Sequence, residues 1–412
     1  MGGTELYGYL PYWLMTPTMA SYLQSVPLTS LELFSVTSRS NGRLDARQLG
    51  YRRITAPIGA EIISGAHARG LRVELVFSSF GFKRNAALFG TTVPPQPLDP
   101  RWRSAVDVAG ATAATLQARR TISDLIALAT KLHVDGINLD IEQISSTSYD
   151  GYAAFVHDLR GALSAALPHS GLSAATMASQ AGANLAAVSI GAGVGRIFVM
   201  GYDFHYTGSG PGGQAPIDRL DGGPSLSSTI AIYQSIGVPS NLVLLGLPTY
   251  GMAWPTASPD RYAPRIGPGV LWTPAAHAAE LTAPGFSPHL DPLEVSEFFS
   301  EPVAPPGGAP PSPSAGTSIG PSTTYRAVFY DSPRTLEQKL ALARAAGFAG
   351  AGFWAIGYER GVPGYTQLMA DFLAGLIAPL APPNPNPDPS DMVPCLPRCT
   401  GPSTTSPVTM AH

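Results

Sequence analysis

The sequence predicts a (β/α)8 TIM barrel, and three observations carry that prediction. Eight short apolar runs of strand character recur along the chain. Helical apolar spacing separates several of them, and glycine-marked turns lead from helix into strand. Such alternation implies a parallel sheet, and eight is the strand number that closes one into a barrel. An open doubly wound sheet is the alternative, but no nucleotide-binding fingerprint opens the chain.

In order, the runs are 5–10 (ELYGYL), 31–36 (LELFSV), 71–77 (LRVELVF), 134–141 (VDGINLDI), 172–177 (LSAATM), 196–200 (RIFVM), 242–247 (LVLLGL) and 350–354 (GAGFW). Ahead of the fourth, Ile122, Leu125, Ile126, Ala129 and Leu132 keep i, i+3, i+4 spacing; behind it, Tyr152, Phe155, Val156, Leu159 and Leu163 do the same. Leu336, Leu340, Leu342 and Ala343 precede the eighth. The turns A-R-G-L-R-V, H-S-G-L-S-A, S-I-G-V-P-S-N-L and A-A-G-F-A-G place Gly just past a helix, where a C-cap is expected. Two segments depart from the pattern. Residues 302–322 form a Pro/Gly-rich loop before the eighth strand, and residues 377–412 read as a disordered Pro-rich tail, which leaves 1–376 for the barrel.

Composition narrows the function classes. The chain has 412 residues, 44% hydrophobic and only 13% charged, with a net charge of -3. That suits a globular protein, and the near-neutral balance without a Lys/Arg cluster argues against a nucleic-acid partner. No apolar run approaches the roughly 18 residues of a membrane span, so no membrane segment is expected; a monomer is the expected state. The two cysteines, Cys395 and Cys399, both lie in the tail, so the body has neither a disulfide framework nor a Cys-based metal site. With no other cluster at ligand spacing, neither metal nor cofactor is expected. The N-terminus lacks the regions of a signal peptide; a secreted or cell-surface protein whose export signal has been removed is the expectation.

The chemistry concentrates in residues 135–142, D-G-I-N-L-D-I-E. On a strand Asn138, Asp140 and Glu142 share one face, and Ile137, Leu139 and Ile141 the other. Catalytic groups of a barrel stand at the C-terminal ends of its strands, which puts Glu142 at the mouth, Asp140 a layer below and Asn138 deeper. Two neighbouring carboxyls resist joint ionisation, so one stays protonated and can serve as a proton donor. Asp135 opens the strand and reads as structural.

Other strand ends add aromatic and polar groups: Tyr9 and Trp13 after the first, Phe80 and Phe82 after the third, Met200, Tyr202 and Asp203 after the sixth, Tyr250 and Trp254 after the seventh, and Trp354 after the eighth. Aromatic faces with a few polar groups suit stacking on sugar rings. His205 is assigned no role. Two motif matches are rejected. Residues 316–320 satisfy G-x-S-x-G within a Pro-rich loop, and Gly208, Gly210 and Gly213 satisfy G-x-G-x-x-G, interrupted by Pro211.

These residues together resemble family 18 of the glycoside hydrolases, the chitinases and related N-acetylglucosaminidases. Residues 135–142 match that family's fourth-strand motif D-G-x-[D/N]-x-[D/N]-x-E throughout, and M-G-Y-D, L-P-T-Y-G and the strand-eight Trp support it. The resemblance implies a retaining, substrate-assisted hydrolysis of β-1,4 linkages beside N-acetylglucosamine, in chitin or peptidoglycan. Carried over by position, Glu142 is the acid/base, Asp140 orients the acetamide and Tyr202 bonds its oxygen. Asp203 sits in the sugar site and Trp354 forms the floor of the −1 sugar. Asn138 stands where many chitinases have Asp; Asn is seen in relatives acting on bacterial cell walls, and can still hydrogen-bond Asp140 but cannot share a proton through a second carboxyl. A non-catalytic, lectin-like carbohydrate-binding barrel is the alternative, and such relatives typically lose the terminal Glu.

Overall fold

The computed structural model describes residues 4–91, 115–303 and 324–380. Seven parallel strands come first: β1 (Glu5–Pro11), β2 (Ser30–Val36), β3 (Arg72–Phe80), β4 (Gly136–Glu142), β5 (Gly171–Met177), β6 (Arg196–Met200) and β7 (Val243–Pro248). Five antiparallel strands follow: β8 (Gly251–Thr256), β9 (Val270–Trp272), β10 (His289–Asp291), β11 (Ser296–Val303) and β12 (Thr324–Tyr330). Then β13 (Gly350–Trp354) returns between β7 and β1 and closes the eight-stranded barrel in the order β1-β13-β7-β6-β5-β4-β3-β2.

All eight expected strands are present, each within three residues of its expected ends. Their outward faces pack on the helices: Ile137, Leu139 and Ile141 of β4 belong to the large core that includes Leu125 and Ala129 of Leu116–Leu132 and Phe155, Leu159 and Leu163 of Tyr149–Ala166. Inside the barrel a smaller cluster of Tyr7, Tyr9, Val76, Ala175, Phe198 and Leu244 fills the lumen. Phe198 needs glycines opposite it, since a Cβ on Gly246 would come within 2.5 Å of its ring and one on Gly352 within 2.8 Å.

The glycine turns divide. Gly70, Gly237 and Gly347 take positive φ behind their helices, as C-caps do. Gly171 instead opens β5, and His169, at φ 73°, makes the left-handed turn. The sheet β10-β11-β12-β8-β9, inserted between β7 and β13, was not expected from the sequence. The Pro/Gly-rich segment joins two of its strands, and residues 304–323 lie outside the described residues. So do residues 381–412 and both cysteines. Ile377, assigned to the tail, is 4% exposed in the barrel core, and Leu380 N donates 3.2 Å to Ala341 O, so the packed chain runs at least to Leu380.

Candidate active site

The inward face of β4 answers why polar residues alternate there. Glu142 is half-buried at the mouth, Asp140 below it is 4% exposed, and Asn138 is fully buried in the lumen. Glu142 pairs in register with Phe80 of β3. The strand end is pinned from the helix Phe82–Phe89, where Asn85 Nδ2 donates 2.6 Å to Glu142 O while its Oδ1 accepts from Ser79 Oγ at 2.7 Å. The acid is thus carried on backbone held by β3 and the helix that follows it.

These two carboxyls line a cleft of about 430 Å³, together with Tyr202 and Asp203 from the end of β6. That volume is within the usual range for a small-ligand site. Tyr9, Met200 and Trp354 contribute apolar wall. Phe34, Met177, Ala178, Ser179 and Phe204 also line it and were missed by the sequence reading. Phe34 was findable: it lies at the mouth end of β2 with the inward parity of Glu32. Its ring meets Trp354 edge-on at 4.7 Å, and Trp13 meets both, at 6.1 and 6.3 Å. Trp13 is half-exposed, and its Nε1 donates 3.2 Å to Tyr358 Oη, extending the aromatic wall outward. Backbone bonds brace the Trp354 end, with Thr249 N donating 2.9 Å to Trp354 O and Thr249 Oγ1 donating 2.6 Å to Ala355 O.

Three expected site residues fall elsewhere. Trp254 is fully buried on β8, packed with Met252, Phe298 and Phe329 of the inserted sheet, so it cannot face a sugar in the cleft. Asn138 is too deep to touch substrate, and it does not bond Asp140: its Nδ2 donates 2.7 Å to Ser173 Oγ on β5. Tyr250 is buried behind the wall, where its hydroxyl donates to Asp203 Oδ1. Asp135 is structural, its Oδ2 accepting from Val73 N and lying 2.8 Å from His67 Nε2. His205 is buried, 2.9 Å from Gly210 O through Nδ1 and 3.4 Å from Glu294 through Nε2.

The electrostatics follow from burial and from the density of acid groups. Burial first, and the Glu142 charge second, push the Asp140 carboxyl well above its ordinary range. Glu142 is raised too, by desolvation and then by the Asp203 charge. Asp203 is exposed as a residue, yet desolvation by the cleft wall raises its carboxyl, partly offset by the bond from Tyr250. Burial and then the Asp140 charge keep the Tyr202 hydroxyl firmly protonated. The arrangement offers two carboxyls of raised pKa, one at the mouth and one beneath it, and a phenol donor beside both. Among the described residues no group of three His, Cys, Asp or Glu side chains is placed to hold a metal ion. No helix there is long and apolar enough to cross a membrane.

Comparison with known proteins agrees with this architecture. Over 141 residues the chain is 30% identical to YdhD of Bacillus subtilis, a sporulation-specific glycosylase by name; the match covers 32% of this chain and 31% of that one. The chain thus spans about a third of that curated relative's length. The spore cortex-lytic enzyme SleL of Bacillus cereus superposes with a TM-score of 0.63 at 17% identity, over 90% of this chain and 74% of that one. A chitinase of Cycas revoluta in complex with (GlcNAc)3 gives 0.64 at 15% identity, over 90% and 98%. At these identities the structural matches establish the fold. The model of Glycosyl hydrolases family 18 matches residues 110–359, more than half of the sequence, with the D-G-I-N-L-D-I-E strand inside it. The chain belongs to glycosyl hydrolase family 18.

Proposed function

We propose that the protein is a retaining glycosidase that cleaves β-1,4 linkages beside N-acetylglucosamine in chitin or peptidoglycan. The observation that carries this reading is a single stack. Glu142, raised by burial and by Asp203, stands over Asp140 at the base of a cleft walled by Tyr9, Phe34 and Trp354.

In this reading the protonated Glu142 donates its proton to the glycosidic oxygen as the C1–O bond breaks, a role worth about 10²–10⁴-fold in rate. The substrate's own 2-acetamido oxygen closes on C1 from the other face, which departs from the two-carboxylate scheme. Asp140 accepts the acetamide N–H and balances the charge of the oxazolinium ion, and Tyr202 donates to the acetamide oxygen and aligns it. Glu142, now ionised, takes a proton from the water that reopens the ring, so the anomeric configuration is retained. Trp354 supplies the floor on which the −1 sugar rests. The barrel with its inserted sheet is the catalytic unit, and a secreted or surface location goes with such a substrate.

A lectin-like barrel is the weaker reading because the acid is present and its pKa is shifted in the direction catalysis needs. The test sets wild type beside Glu142→Gln on chitin oligosaccharides and on purified peptidoglycan glycan strands, with products read by mass and anomeric form. Cleavage by wild type with the β-anomer released first, and a loss of two or more orders of magnitude in kcat for the variant, is the expected result. Equal cleavage by Glu142→Gln removes Glu142 from its role. Binding without cleavage by wild type supports the lectin.

A further inference from the structure

A second concavity, of about 540 Å³, lies beside the cleft and has no part in the hydrolysis proposed above. It sits between the loop after β2 and the helix Phe82–Phe89, and Arg39, Lys83 and Arg84 line it against a single carboxylate, Asp45. Two more exposed arginines, Arg43 and Arg47, stand on the same loop. In the linear sequence these cations fall in two groups, at 39–47 and at 83–84, and folding brings the two together. In a chain of net charge -3 the local excess is a feature of this wall and not of the composition.

The available acids do not neutralise it. Asp45 is shared, 3.0 Å from Arg39 and 3.7 Å from Arg47, and Asp124 accepts Arg43 at 2.6 Å. Arg84 is spent on structure, donating to Ser38 O and tying the helix to the loop. Lys83 is exposed and has no carboxylate within 4 Å among the described residues. Uncompensated positive charge in a concavity raises the local concentration of anions.

The position links this charge to the reaction. Phe80 lies opposite Glu142 on the neighbouring strand, and Lys83 follows three residues later. Strand spacing and Cα spacing then place the Lys83 Cα no more than about 16 Å from that of Glu142. Two exposed rings belong to the chain that links the two positions, Phe80 at 45% and Phe82 at 60% exposure. A glycan leaving the cleft on this side passes aromatic faces and reaches a cationic pocket. A neutral polymer of N-acetylglucosamine gives that pocket nothing to neutralise, whereas a strand with carboxylates on its sugars does.

We infer that this pocket is a subsite for the carboxylates of an anionic glycan, which makes peptidoglycan strands, and not chitin, the substrate for which the wall is built. The inference rests on the hydrolase reading. The carboxylate has two sources, the lactyl ether on the sugar and the peptide attached to it, and the same cation recognises either.

The test measures KM for the full chain and for Lys83→Glu and Lys83→Gln on three substrates across a NaCl series. These are neutral chitin oligosaccharides, glycan strands stripped of peptide, and peptide-bearing strands. For wild type, KM on the anionic strands is expected to be the lowest at low salt and to rise as screening shortens the Debye length from about 30 Å at 0.01 M to about 10 Å at 0.1 M. Lys83→Glu is expected to raise KM on those strands on the order of fivefold and Lys83→Gln by less, with chitin oligosaccharides unaffected because Lys83 does not line the catalytic cleft. An effect on stripped strands identifies the lactyl carboxylate; one confined to peptide-bearing strands identifies the peptide. An equal change on neutral and anionic substrates, no change on any, or cleavage of chitin alone overturns the inference. If wild type cleaves nothing, the hydrolase reading fails instead. Equilibrium binding of the same strands to wild type and Lys83→Glu then tests the pocket separately, and equal affinities overturn it.

Discussion

Asn138 lies beneath Asp140 on the inner face of β4, and its amide donates 2.7 Å sideways to Ser173 Oγ instead of upward to the carboxylate. Ser173 Oγ passes the chain on to Glu74 Oε2, and Glu74 Oε1 accepts from Arg72 at 3.0 Å. The polar layer under the acid pair is therefore oriented from below. Burial is the first cause that lifts the Glu74 carboxyl to about 7, and Glu32, equally buried nearby, is raised as well.

Asn138→Asp would place a third carboxyl between Asp140 and Glu74 with no cation in direct contact. Burial and both neighbours raise its folded pKa above the unfolded value, so the variant should match wild type below about pH 4 and lose stability as pH rises through the folded pKa. A deficit of about 1–3 kcal/mol at pH 8 is expected. Thermal melts at pH 4 and pH 8 check it. A deficit of the same size at both pH values would mean that packing, and not charge, decides the residue at 138.

In the proposed mechanism, Asp203 and Tyr250 are expected to set the upper pH limit of the reaction. The donor form of Glu142 is the protonated one, and the Asp203 charge is the second cause, after burial, that holds its pKa up. Asp203→Asn removes that charge, lowers the Glu142 pKa and moves the alkaline limb of kcat/KM to lower pH. Tyr250→Phe acts in the same direction by a different route. Without the phenol donor the Asp203 carboxylate is less stabilised, ionises less readily and supports Glu142 less. A pH profile of kcat/KM for the three proteins gives the order, with wild type extending furthest into alkali. An alkaline limb that stays put in both variants would detach Asp203 from the acid.

How much of this was legible in sequence depends on which forces wrote the pattern. The barrel strands alternate with helices, and burial on both faces gives them continuous apolar runs, so β5 and β6 were read nearly to the residue. The stack at 138, 140 and 142 was legible because polar residues at period two cannot hide in an apolar strand. The inserted sheet was not. Its strands β9 and β10 are three residues each, too short for a period, and β8 begins three positions after β7 ends, so its residues passed for the mouth of the barrel. A signal was available in T-Y-R-A-V-F-Y and S-E-F-F-S, which flank the Pro/Gly-rich segment with the β-branched and aromatic content of a long hairpin. The choice of partner for Asn138 was not legible, because Ser173 is 35 positions away and becomes a neighbour only through barrel register.

Trp254 and Trp354 separate packing from function most sharply, since sequence placed both after a strand and the structure places them in different clusters. Trp254 has no exposed surface and fills the face of the inserted sheet with Met252, Phe298 and Phe329. Trp254→Ala is expected to cost about 3–5 kcal/mol, read as a lower melting temperature or as protease sensitivity within 251–303, with any activity loss following the loss of fold. Trp354 is half-buried at the cleft, its ring against Phe34 and Tyr9. Trp354→Ala should retain more stability than Trp254→Ala and still lose catalysis, through weaker and less ordered seating of the −1 sugar. The comparison needs only two measurements, a melt and a kcat/KM, on each variant. If Trp254→Ala kept its melting temperature and lost turnover, the inserted sheet would have to deliver that ring to the substrate, and the assignment of the cleft wall would have to be redrawn around β8.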